Sequence, residues 1–178
     1  MQRLSLHKGR GRCPGGALGP PLLDAGGTLG DSRGYRQGMS PAVGQPRGGM
    51  AVIYIDRLDH LVLTVADIAR TCEFYSRVLG MEVVTFGAGR TALGFGRQKI
   101  NLHQAGREFE PKAVRPAPGS GDLCLITHAP MARVLEHLAA CGVETLGPPD
   151  ARTGATGPLL SVYFRDPDGN LVEVSNQQ

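Results

Sequence analysis

The sequence predicts an α+β fold made of two copies of one β-α-β-β-β module, placed after a segment without regular structure. Three observations carry this. Asp59-His60-Leu61-Val62-Leu63-Thr64-Val65 is echoed by Gly121-Asp122-Leu123-Cys124-Leu125-Ile126-Thr127 at an offset of 62, and Leu79-Gly80-Met81-Glu82-Val83 by Cys141-Gly142-Val143-Glu144-Thr145 at the same offset. Each copy opens with a strand of period two and continues with an apolar stripe at helical spacing. A change of composition near residue 50 separates this repeat from what precedes it.

Residues 1–50 hold 13 of the 26 Gly and 5 of the 13 Pro in the 178-residue chain. Such a stretch buries too little apolar surface to offset its conformational entropy, so a disordered leader is expected. It carries seven basic and two acidic residues, a net of +5, whereas residues 51–178 carry 12 basic and 14 acidic, a net of −2. The overall +3 therefore belongs to the leader, and the domain lacks the basic face of a nucleic-acid binder. The basic, acid-free first 23 residues have the charge of a mitochondrial leader. Gly9, Gly11, Pro14, Gly15 and Gly16 break the amphipathic helix that such a leader needs. No apolar run approaches the roughly 20 residues of a membrane helix. Cys72, Cys124 and Cys141 lie in apolar periodic segments, where free buried thiols are expected, and a cytoplasmic, reducing setting follows.

The domain is expected at 51–178, with modules at about 55–105 and 120–176. In the first, Asp67 is an N-cap, since its carboxylate accepts free backbone N–H groups. Ile68, Cys72, Tyr75 and Leu79 then form a helical stripe closed by Gly80. In the second, Pro130 suits a first turn, Val134, Leu135, Leu138 and Cys141 form the stripe, and Gly142 ends it. Further strands are expected at 81–86, 92–95, 99–103, 143–146, 160–165 and 171–175. Asp166-Pro167-Asp168-Gly169 turns between the last two. Residues 104–120, with two Gly and three Pro, connect the modules.

Alternation assigns faces. Leu61, Leu63 and Val65, Ile100 and Leu102, Leu123 and Leu125, and Val172 and Val174 point towards the helices. The opposite faces of a curved mixed sheet then carry His60, His103, Asp122 and Glu173. Glu173, flanked by Val172 and Val174, needs a partner for its charge, and a metal or an arginine would provide one. Asp122, after Gly119-Ser120-Gly121, also fits a purely turn-shaping role, and His128 and His137 read as solvent-facing. No dinucleotide, Walker or Ser-His-Asp signature is present.

Asp59-His60 opening the first strand, Phe74-Tyr75-x-x-x-Leu79-Gly80-Met81, and Asp166-Pro167-Asp168-Gly169-Asn170-Leu171-Val172-Glu173-Val174 stand in an order that resembles the vicinal oxygen chelate superfamily. Its members include the relatives of glyoxalase I and of bleomycin-resistance proteins. Asn101-Leu102-His103 and Arg152-Thr153-Gly154-Ala155 are similar to stretches of glyoxalase domain-containing proteins. The resemblance implies a divalent metal held by the first and last strands of each module, with His60 and Glu173 at ligand positions. Asp122 replaces an expected second His and Asn101 an expected first Glu, and His103, two residues on, is the candidate substitute. Zinc, nickel, manganese and iron all suit such a set. The implied activity is a glyoxalase I-like, metal-dependent lyase or isomerase acting on a small oxygenated substrate through an enediolate-type intermediate, with Glu173 as ligand and proton carrier. An iron-dependent extradiol dioxygenase and a metal-free small-molecule binding module are the alternatives. A homodimer is expected, because the outer strands need a partner.

Overall fold

Asp67 starts the first helix as its residue type requires: the carboxylate accepts the Arg70 amide at 2.9 Å. Gly80 ends it at φ 66°, a left-handed position that a side chain would oppose. The computed structural model describes residues 53–178, so the expected leader at 1–50 lies outside the described residues. Within Arg57–Gln178, one compact unit, the order is β1 (His60–Val65), α1 (Ile68–Leu79), β2 (Glu82–Phe86), β3 (Arg90–Phe95), β4 (Gln98–Gln104), β5 (Asp122–Ile126), α2 (Met131–Ala140), β6 (Asp150–Gly154), β7 (Gly157–Arg165) and β8 (Leu171–Gln177). No helix among the described residues is long and apolar enough to cross a membrane.

Each module forms its own four-stranded mixed sheet, ordered β1-β4-β3-β2 and β5-β8-β7-β6. In both, the first and last strands run parallel and the other pairs antiparallel. The crossover through the helix makes this parallel pairing possible, because a tight turn can join only antiparallel neighbours. The first strand of each module is consequently an outer strand.

The predicted inward residues are inward. Leu63, Val65, Ile100, Leu102, Val172 and Val174 are buried in one core that draws on both modules. The buried centre of α1 is Thr71, Phe74, Tyr75 and Val78, so the expected stripe of Ile68, Cys72 and Leu79 sits at its partly buried edge. A second departure concerns 143–146. Only Thr145 forms a bridge there, to Phe164, and the module's second strand is Asp150–Gly154 instead. The tight Gly154–Gly157 connection fixes that pairing with β7, and its polar residues gave no alternating apolar signal. A third concerns cysteine: Cys72 and Cys124 are free thiols, but Cys72 is only half-buried and Cys124 is exposed rather than buried.

Side chains of one module hold the other. The buried Tyr75 hydroxyl donates to Asp166 Oδ2 at 3.0 Å, and Asp166 also accepts from the Asp168 and Asn170 amides and from Asn170 Nδ2. Burial first, then the Asp166 charge, push the Tyr75 hydroxyl far above an ordinary tyrosine, so it stays a proton donor. Arg70 Nη2 pairs with Asp168 Oδ1 at 2.9 Å and donates to the Pro167 carbonyl at 2.7 Å. His137, exposed but not idle, bonds the Val78 carbonyl through Nε2 at 3.0 Å.

Candidate functional site

The two parallel strand pairs set the site residues in matching positions. In the first module His60 lies opposite Lys99, Val62 opposite Asn101 and Thr64 opposite His103. In the second Asp122 lies opposite Leu171, Cys124 opposite Glu173 and Ile126 opposite Ser175. Superposed by register, His60 corresponds to Asp122 and Asn101 to Glu173, and the counterpart of His103 is Ser175. Asn101 stands two positions along from the residue facing His60, a diagonal neighbour about 7 Å further down the strand. His103 stands four positions along, about 13 Å, so the structure does not bring it to His60.

His60 is exposed at the start of β1, and its Nδ1 lies 2.8 Å from Asp59 Oδ1. A carboxylate only accepts here, so Nδ1 carries the proton of this hydrogen bond. That hydrogen bond, more than any other influence, holds the Asp59 carboxyl below the usual carboxylate range. Asn101 Oδ1 is buried without a hydrogen-bond donor, the one such side-chain atom among the described residues. A buried acceptor left unpaired costs about 1–3 kcal/mol, which is reason to look for what it serves.

Burial acts to raise the Glu173 carboxyl, but hydrogen bonds from Ser161, Tyr163, Ser175 and Cys124 outweigh it and hold the group below the usual range. Ser175 Oγ lies 3.2 Å from Glu173 Oε1 and 2.8 Å from Ser161 Oγ. The Tyr163 hydroxyl accepts from Arg152 Nε at 3.0 Å, leaving its proton for Glu173. The result is an ionised carboxylate aimed into a cavity of about 420 Å³ that Cys124, Arg152 and Tyr163 also line. Burial raises the Cys124 thiol, so it stays protonated beside Glu173. A second cavity, of about 300 Å³, is lined by His60, Lys99, Asp122 and Cys124.

Four sequence-predicted residues therefore stand as follows. His60 and Asp122 share a cavity, Glu173 opens onto a neighbouring one, and His103 is buried elsewhere on the first sheet against Phe109. Among the described residues of a single chain, no three His, Cys, Asp or Glu side chains converge as metal ligands. Tyr163 and the serines around Glu173 were not singled out from the sequence as polar partners of the site. Asn101, read from the sequence as the occupant of an expected Glu position, is the register counterpart of Glu173 in the repeat.

The family profile described as Glyoxalase/Bleomycin resistance protein/Dioxygenase superfamily matches residues 57–174. Virulence protein STM3117 of Salmonella typhimurium is 58% identical over 121 residues, covering 68% of this chain and 84% of that protein. An integron cassette protein from the mobile metagenome of V. cholerae has a solved structure with 57% identity and a TM-score of 0.70, covering 71% of this chain and 98% of its own. The lactoylglutathione lyase of Agrobacterium tumefaciens is similar at 25% identity and a TM-score of 0.53, over 68% of this chain and 94% of that one. With the repeated modules and the profile spanning nearly all of the described unit, the chain belongs to the Glyoxalase/Bleomycin resistance protein/Dioxygenase superfamily.

Proposed function

We propose that the protein is a glyoxalase-like, metal-dependent lyase or isomerase for a small oxygenated substrate. The observation that carries this is the register match of His60 with Asp122 and of Asn101 with Glu173. Each module thereby offers one pair of donors on equivalent strands, and the unpaired Asn101 Oδ1 supplies an acceptor that a cation would satisfy. One imidazole nitrogen, one amide oxygen and two carboxylates suit zinc, nickel, manganese or iron. His60 is already oriented by Asp59, as ligating histidines commonly are by a carboxylate.

His60, Asn101, Asp122 and Glu173 would hold a divalent ion, which would supply Lewis-acid polarisation of adjacent substrate oxygens and so make the neighbouring C–H more acidic. Glu173 is the group to move that proton: it is ionised, and Ser175 and Tyr163 fix its oxygens. The extradiol alternative needs two histidines at the metal, and the 13 Å offset of His103 from His60 favours the lyase or isomerase reading, by the same strand spacing of about 3.3 Å per residue. His103 is retained as a ligand only if the sheet were to slip, a change that the buried Ile100 and Leu102 oppose.

Because the described residues of one chain gather no three His, Cys, Asp or Glu ligands, we propose that two chains each contribute one module to a site. Elemental analysis tests the ligand set. About one divalent ion per chain is expected, with His60→Ala and Glu173→Gln each reducing it and exposed His128→Ala leaving it unchanged. Equal metal content in all four proteins overturns the site.

A further inference from the structure

On the face of the first sheet that carries His60 and Asn101, two cations have settled over aromatic rings instead of over carboxylates. Lys99 Nζ lies 3.8 Å from the Phe86 ring centroid, and Arg90 Cζ lies 4.9 Å from the same ring and 5.9 Å from Phe109. His103 meets Phe109 edge-on with centroids 5.6 Å apart, closing the row. Neither Lys99 nor Arg90 forms an ion pair among the described residues. Asp59, a carboxylate on which Lys99 acts, is already engaged by His60, and Glu82, which shares the face next to Gly94, forms no ion pair with Lys99. The β3 residues opposite Asn101 and Lys99 are Ala92 and Gly94, small enough to leave room above the middle of the sheet.

An aromatic face attracts a cation only weakly where water has access, so Lys99 and Arg90 over the Phe86 ring remain available to a stronger, charged partner. Two such cations on one sheet face, neither paired with a carboxylate among the described residues, form a receptor for a negative group. From this we infer that the substrate is an oxyanion, with its carboxylate or phosphate group seated between Lys99 and Arg90. The inference deepens the reading above, since it assigns a charge to the substrate of that same site. On the second module the ionised Glu173 would repel such a group, so the anion is oriented with its charged end on the first sheet.

Titration calorimetry of the full chain with phenylglyoxylate, with its neutral amide and with inorganic phosphate tests this. We expect phenylglyoxylate or phosphate to bind at least tenfold more tightly than the amide. Lys99→Gln and Arg90→Gln should each weaken the anion roughly tenfold, the loss typical of one charge-assisted contact, without moving the amide. Arg133→Gln, on the exposed side of α2, should change nothing, and Arg90→Lys should restore part of the affinity. Whichever of carboxylate and phosphate binds more tightly identifies the group. Equal binding of anion and amide, no binding of any probe, or anion binding indifferent to both Gln variants overturns the inference. Metal content measured on the same preparations separates the two proposals. Cation-dependent anion binding without metal rejects the lyase reading alone, and full metal content with indifferent variants rejects this one alone.

Discussion

Glu173 shows how a carboxylate next to the core stays charged. Four donors overcome the effect of burial, so its folded proton affinity lies below that of the unfolded chain. A depressed carboxyl adds stability above its unfolded value, about 4.3, and that contribution disappears as the pH falls through the lower folded value. In metal-free protein, melting temperatures of wild type and Glu173→Gln are therefore expected to converge between roughly pH 5 and pH 3, given that reference value. A gap that widens on acidification would contradict the arrangement. The charge logic of this residue was legible beforehand, since a Glu between two valines needs partners. Which partners it has was not. Ser161 and Tyr163 come from a neighbouring strand, and no local pattern specifies which residues face each other across β7 and β8. Asn101 was legible as the occupant of an expected Glu position, but its buried, unpaired oxygen was not, because an amide between Ile100 and Leu102 looks like any outward strand residue.

At the level of elements, the helices and their ends followed from capping and spacing, because Asp67, Gly80 and Gly142 act through their own backbone and near neighbours. The strand at 150–154 did not, since what forms it is pairing with β7 rather than any alternation of its own. The connection between modules depends on a contact equally remote in sequence. Gly119 has φ 76°, and a Cβ placed on it would lie 2.6 Å from the Asp168 carbonyl oxygen. Gly142 has a similar φ of 68° but nothing within 4 Å of such a Cβ. Gly142→Ala is expected to cost about 1 kcal/mol from backbone conformation alone. Gly119→Ala should cost more, because a backbone atom must also move. Chemical denaturation of both variants measures this, and equal midpoints would mean that the connection yields freely.

Across the whole molecule, the outer positions of β1 and β5 place His60 and Asp122 on strand edges that remain unpaired within one sheet. Val62 and Ile126, both about half exposed at 45% and 53%, extend those edges with apolar surface. Edges of this kind are usually paired or covered, and we expect a homodimer by light scattering at micromolar concentration. If each site takes His60 from one chain and Glu173 from the other, mixing His60→Ala with Glu173→Gln chains restores one complete site per mixed dimer, and metal uptake returns. No return after chain exchange would place both residues in the same chain, and a monomer would remove the premise.

Tyr75 and Asp166 have a consequence for how such a molecule can be divided. Although the two modules repeat each other, neither is a finished object: without the second, α1 would present the Phe74 and Tyr75 rings to water, and without the first, Asp166 would lose the Tyr75 hydroxyl, its side-chain donor from outside its own turn among the described residues. Phe164 would lose the ring it packs against at 6.3 Å. Cutting the chain between residues 112 and 118 should therefore yield two fragments that are soluble together and aggregate apart. The intact protein should melt in a single transition, with calorimetric and van't Hoff enthalpies equal. Two resolved transitions would mean that the two modules stand alone, whatever their contacts.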